Sequence, residues 1–258
     1  MFETICEFAL FPHLRHVIST RDGGVSEGNL GTLNLGYHVA DDPVAVSENR
    51  RRLGHAVGYD PSTLIAAQQV HGTAISWVSH NDCGRGAFAW DTALPNTDGL
   101  IVSEANVPVT IQVADCAPVL IADPVRHVLA VVHAGWRGAL GGIASAAVRQ
   151  MIEHSGTTPS DLLVGIGPTL CPDCFEIGPE VAVQVRHAFG ADTFARINGT
   201  AHLDIRAMIA ADLATVGVGA RQVVGHEACT RCQNQRFFSH RGQHGNAGRF
   251  ALVAWWES

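Results

Sequence analysis

Val128-Leu-Ala-Val-Val-His133-Ala-Gly-Trp-Arg-Gly138 is the stretch from which the architecture of this chain can be read. Its five leading apolar residues, three of them valine, predict a buried strand. His133 closes the strand, Gly135 and Gly138 make a turn, and apolar positions at Ile143, Val148, Met151 and Ile152 predict a helix directly after it. Upstream, Gly99–Val102, Val107–Val113 and Pro118–Ile121 are short apolar runs that predict further strands of a central sheet. Downstream, Leu162–Ile166 predicts another strand. Val181, Val185 and Phe189 predict one amphipathic helix, and Leu203, Met208, Ile209 and Leu213 a second. Asp42-Pro43 opens a helix that runs to Gly58, with proline tolerated in the first turn. The glycine- and asparagine-rich first 40 residues predict short strands joined by turns, and Phe250–Trp256 a closing strand. Asn198-Gly-Thr200 matches a glycosylation acceptor and is read as a turn. Strands and helices interleave irregularly, with no repeat and no long linker. The expected fold is therefore one α/β unit over residues 1–258, a mixed sheet covered by helices on both faces.

Composition narrows the chemistry. The chain has 258 residues, 24 acidic and 17 basic, for a net charge of −7. All 17 basic residues are arginine. The absence of lysine excludes a Schiff-base lysine, a P-loop lysine and a lysine general base. A net negative charge argues against a protein whose main task is to grip nucleic acid or an anionic membrane. Arginine still suits a phosphate or carboxylate substrate through paired hydrogen bonds. No run approaches the roughly 18 apolar residues of a membrane span. Glu3 and Glu7 stand where a signal peptide would be positive, and seven cysteines form no dense framework, so a cytoplasmic location is expected. Nothing in the sequence calls for an obligate protein partner.

The strand-to-helix turn after His133 offers backbone N–H groups to an anion, with Arg137 able to add a charge-assisted contact. Equally, the glycines could simply make the turn while Trp136 plugs the core. Ala114-Asp-Cys116-Ala-Pro118 interrupts two apolar runs, which puts Cys116 near one edge of the sheet, 17 positions before His133. With His71 of Gln68-Gln-Val-His-Gly72, one cysteine and two histidines on neighbouring strand ends could hold Zn²⁺ and leave a fourth position open, as catalytic zinc sites do. A metal-free Cys116–His133 nucleophile pair uses the same residues. Cys171-Pro-Asp-Cys174 and Cys229-Thr-Arg-Cys232 lie 55 positions apart, too far for a zinc-ribbon reading, and are taken as tolerated thiols. His226-Glu227 falls short of the zinc deaminase signature. Arg236–Arg241 and Gly248-Arg249 form a basic loop before the last strand, suited to a lid or a further arginine contact and equally to a plain solvated loop.

In order along the chain stand Thr20-Arg-Asp-Gly-Gly-Val-Ser26, Leu33-Asn-Leu-Gly36 with His38, Asn49-Arg50, Gln69-Val-His-Gly72 and Asp98-Gly-Leu100. Ala114-Asp-Cys116, His133-Ala-Gly-Trp-Arg-Gly138, Gly165-Ile-Gly-Pro168 and Phe237-Phe-Ser239 with Arg241 follow. This set resembles the YfiH-type laccase-domain family, also called polyphenol oxidase or peptidoglycan editing factor, over Thr20 to the C-terminus. The resemblance implies a three-layer α-β-α fold with a mixed sheet and a metal site of His71, Cys116 and His133. It implies phosphorolysis of adenosine, inosine and methylthioadenosine, and zinc-dependent deamination of adenosine. The expected partners are thus a purine nucleoside and phosphate, with Zn²⁺ as cofactor and Cu²⁺ as the alternative ion. On that reading Arg137, Gly138, His38 and Arg241 meet substrate or phosphate. Cys116, His133, Asp115 and Arg137 carry catalysis, and Asp115, His38 and His240 compete for the role of base. No role carries over to Cys171 and Cys174.

Three rivals use the same residues. A Cys116–His133 thiol hydrolase could edit wall precursors, and a regulatory protein could bind nucleoside or metal without turnover. Copper-dependent phenol oxidation ranks low, because the chain's 14 histidines include no His-x-His pair.

Overall fold

The computed structural model describes every residue except 191, 192 and 198, and only the backbone of 194–197. The turn read at Asn198 lies outside the described residues. Most expected elements appear where the sequence puts them. The first helix spans Pro43–Val57, with the Asp42 side chain accepting the Val44 N–H at 2.9 Å and Gly58 closing it at φ 94°. Such a cap contributes about 1 kcal/mol, and the left-handed close is easy only for glycine. Helices Ile143–Ser155, Pro179–Phe189 and Ile205–Ala214 follow. Leu203, assigned to the last of these by its spacing, instead ends the strand Thr200–Leu203. The first 40 residues contain only two strands, Phe2–Glu3 and Leu14–Ser19, before a long irregular stretch.

The mixed α/β class stands, and the strands expected in one central sheet are divided over two large ones. One runs, in spatial order, Phe2–Glu3, Leu14–Ser19, Phe250–Trp256, Val109–Val113, Ile65–Ala66. The other runs Val223–Gly225, Leu163–Ile166, Ala117–Asp123, Val128–Ala134, Gly99–Val102, Ile75–Val78. Both combine antiparallel with parallel pairs. Side-chain alternation explains the stacking. In Val128–Ala134 one parity, Val128, Ala130 and Val132, packs on the helices through Ile143, Val148, Met151 and Met208. The other parity, Leu129 and Val131, meets Ile111, Val113, Phe250 and Leu252 of the facing sheet. Val17, Val253 and Trp255, on the outer face of that sheet, pack against Leu53 of the first helix. The order of layers is helix, sheet, sheet, helix, in place of three. Strands buried on both faces read alike whether a helix or a second sheet covers them.

The N-terminal motifs serve this architecture. Asn49 accepts the Val25 N–H and donates to Ser26 Oγ and to the Thr32 and Asn34 carbonyls. Buried Arg50 donates to the Leu35, Gly86 and Ala87 carbonyls beneath the Tyr37 ring. Together they fix the stretch that ends at His38.

Candidate active site

The chain crosses between the two large sheets three times at one end of the sandwich, and two of these crossings carry an expected ligand. Ala114–Cys116 links Val109–Val113 to Ala117–Asp123, and the segment 67–74 links Ile65–Ala66 to Ile75–Val78. His133, near the end of the central strand, shares the inward parity of Leu129 and Val131 and so faces the same gap. The result is a cluster in which ligand atoms of His71, Cys116 and His133 lie within 4.8 Å of one another. His71 and Asp115, beside Cys116, both hold left-handed backbone, at φ 61° and 88°. Residues other than glycine are rare there, and such positions gather at functional sites.

Asp98 organises the cluster, a role the sequence reading missed. Fully buried at the start of Gly99–Val102, its carboxylate accepts His133 Nδ1–H at 2.8 Å and the N–H groups of Val70, His71 and Gly72 at 3.2, 3.0 and 2.7 Å. Burial works against its charge, but those donors hold its pKa below the ordinary carboxylate value. With Nδ1–H engaged, His133 turns Nε2 toward Cys116 and His71, the carboxylate–histidine–metal arrangement. Burial would also raise the Cys116 thiol, yet His133 and His71 beside it bring it down to about 6. His133 moves up for the reciprocal reason, helped by Asp98. The donor set suits a thiophilic ion. Gly135 leaves the needed space, since a Cβ there would stand 2.9 Å from the His71 ring and 3.1 Å from Cys116 Sγ.

The cluster opens into a cavity of about 320 Å³ whose wall also includes His38, Asp115, Arg137, His240, Arg241 and Arg249. The sequence candidates therefore converge, with one exception. Gly138 is buried behind the wall, where its missing side chain lets the helix Trp136–Leu140 close on Gly72; a Cβ would lie 2.9 Å from the Gly72 carbonyl oxygen. Arg137 lies over the Trp136 ring at 4.3 Å. His38 packs on Trp90, and burial, with Arg249 and Arg50 nearby, pushes its pKa down to about 4, so it is neutral at pH 7. Asp115 is fully engaged: Oδ1 accepts from Thr230 and Ser239, both at 2.6 Å, and Oδ2 accepts the Arg241 N–H at 2.7 Å. Phe175 and Leu170 also line the wall. From the sequence Arg249 reads only as part of a basic loop, and its place just before the closing strand Phe250–Trp256 is the available clue.

Residues 15–257 match the family model described as multi-copper polyphenol oxidoreductase laccase, and the chain belongs to that family. It is 35% identical over 236 residues to the purine nucleoside phosphorylase YlmD of Geobacillus stearothermophilus, covering 90% of this chain and 86% of the relative. It is 33% identical over 236 residues to the adenosine deaminase RL5 of an unknown prokaryotic organism, covering 90% of each. The crystal structure of the Geobacillus YlmD superposes with a TM-score of 0.93 at 32% identity, over 96% of this chain and 93% of that one. A Bacillus licheniformis protein, YfiH, gives 0.94 at 31% identity, over 99% and 96%.

Proposed function

We propose that this chain is a metal-dependent purine nucleoside phosphorylase that acts on adenosine, inosine and methylthioadenosine and also deaminates adenosine. The observation that carries this reading is the opening of the His71–Cys116–His133 cluster into a cavity that three arginines also line. Similarity to relatives named for both activities supports it. His71, Cys116 and His133 would hold Zn²⁺, which supplies Lewis acidity and lowers the pKa of water toward about 7. Arg137, Arg241 and Arg249 bind phosphate against C1′ of the ribose, where the glycosidic C–N bond breaks as the phosphate O–C bond forms. Phe175 and Leu170 give the purine an apolar wall that excludes water. In deamination, the C6–N bond breaks, water supplies oxygen to C6, and ammonia leaves. His38 is neutral and faces the cavity, so it can accept a proton. Asp115, bound to three donors, positions the Ser239–Arg241 segment and does not act as the base. His240 remains beside it as the second candidate for proton transfer.

The His₂Cys donor set also accepts Cu²⁺. Metal quantification decides between the ions. We place the protein in the cytoplasm and take residues 1–258 as one unit; no helix among the described residues is long and apolar enough to cross a membrane. Chromatography of adenosine incubated with the metal-quantified protein, with and without phosphate, tests the proposal. Phosphate-dependent adenine and phosphate-independent inosine are expected, and no turnover of any purine nucleoside by metal-replete protein overturns it. A thiol hydrolase reading draws on the lowered Cys116 thiol. It requires turnover that survives metal removal.

A further inference from the structure

We propose that Cys171, Cys174, Cys229 and Cys232 form a second metal centre, a closed four-thiolate Zn²⁺ site that ties together two segments of the substrate cavity. The two Cys-x-x-Cys pairs, dismissed on their separation in sequence, meet in space: their four Sγ atoms lie within 4.8 Å of one another. Cys174 Sγ and Cys232 Sγ are 3.5 Å apart. A disulfide would need about 2.05 Å, whereas a tetrahedron of Zn–S bonds of about 2.3 Å has edges of about 3.8 Å. All seven cysteines of the chain are free thiols.

The topology brings the pairs together. Val223–Gly225 lies parallel to Val164–Ile166, and a parallel bridge between Thr169 and Cys229 continues that register beyond the strand ends. Each pair follows its own strand out of the same end of the sheet. Cys171 leads into the short turn Pro172–Cys174, which presents both of its thiols on one side. The Cys171 N–H donates to Cys229 Sγ at 3.3 Å, a contact that favours a thiolate. Four thiolates on Zn²⁺ leave two negative charges, and Arg206 supplies a cation beside them. Its guanidinium is anchored on the Ile166 and Gly167 carbonyls at 3.3 and 3.0 Å, and its charge is felt at Cys171 and Cys229. Soft sulfur ligands in a full set of four select Zn²⁺ and leave no open position, so the centre is structural.

Its mechanical effect falls on the cavity. Leu170 and Phe175 flank the first pair and line the cavity wall. Arg241 donates to the Cys174 and Glu176 carbonyls at 3.3 and 2.9 Å.

Elemental analysis of the full chain, purified under reducing conditions and loaded with zinc, tests the proposal. Two zinc ions per chain are expected, falling to one in Cys174→Ser/Cys232→Ser. One ion is also expected in His71→Ala/Cys116→Ala, which leaves the four-cysteine set untouched and serves if the serine variant does not fold. Cobalt loading adds a spectroscopic reading: the intense sulfur-to-cobalt charge transfer of a four-thiolate centre persists in His71→Ala/Cys116→Ala. No metal in that variant overturns the proposal. So does a wild-type mass that shows the four thiols joined in disulfides. Neither readout uses turnover, so the result is independent of the activity assigned above.

Discussion

The two sulfur-bearing clusters occupy the same end of the same sheet and differ in almost everything else. Around Cys116 there are three donors, two of them imidazole, two neighbouring backbone positions in the left-handed region, a buried carboxylate aimed at a ligand ring, and a cavity lined with arginine. Around Cys229 there are four like donors with a short turn between two of them, and none of the four lines the cavity described above. An incomplete, oriented and strained donor set is arranged for an exchangeable ligand, whereas a complete and unstrained one is arranged to stay shut.

Changes at the first cluster should abolish chemistry, and the largest effect is expected for Cys116→Ala. Its turnover of adenosine, with or without phosphate, should fall by at least about 10³-fold, or about 4 kcal/mol of transition-state stabilisation. The four-cysteine cluster should keep its metal in that variant, so one zinc per chain must remain. Full turnover in Cys116→Ala would erase the contrast between the clusters. Asp98→Asn should lose about 10- to 100-fold in metal affinity at the first cluster, because His133 loses the carboxylate that orients it. A chelator titration reads this directly, and unchanged metal retention would show that Asp98 matters only for folding.

Arg137→Gln should raise the KM for phosphate several-fold while leaving deamination of adenosine nearly unchanged, since only phosphorolysis uses the anion. Equal losses in both reactions would instead assign Arg137 to shaping the cavity.

The smallest effect on activity is expected far from both clusters, at His16, which separates acid damage to the fold from acid loss of metal. His16 is buried and its Nε2 accepts the Ile5 N–H at 2.8 Å, and burial pushes its pKa down to about 4. The folded protein therefore binds this proton less readily than the unfolded chain. The stabilisation is full above about pH 6.5 and is lost as pH falls toward 4, by up to about 3 kcal/mol. His16→Gln keeps an acceptor without a titratable ring, so denaturant titrations across that window should show a shallower acid limb and normal activity at pH 7. An acid limb as steep as that of the wild type would place the sensitivity elsewhere.

Local signals made the first helix readable to its ends: Asp42, Pro43 and Gly58 are all short-range cues. The strands Gly99–Val102 and Phe250–Trp256 were equally plain, because burial on both faces writes an unbroken apolar run. Their assignment to two sheets was hidden, since Val109–Val113 pairs with a strand some 140 residues later and no local pattern records that. Ile65–Ala66, with only two residues, carried too weak a pattern to find. At the site, residue chemistry and the family resemblance together singled out His71, Cys116 and His133, which the fold brings together. Asp98 went unassigned because its importance lies in pairing with His133, 35 positions away, across adjacent strands. The meeting of the two cysteine pairs is hidden from the sequence for the same reason: the parallel register that brings them together is long-range.

Arg241 touches both neighbourhoods at once. Its backbone N–H is held by Asp115, the residue next to Cys116, while its guanidinium is held by the carbonyl of Cys174. A single residue thus spans the two clusters as a strut, and free energy transmitted along a strut is reciprocal. Whatever advantage an occupied sulfur cluster gives to phosphate at Arg241, bound phosphate must return in equal measure as tighter hold on that cluster's ion.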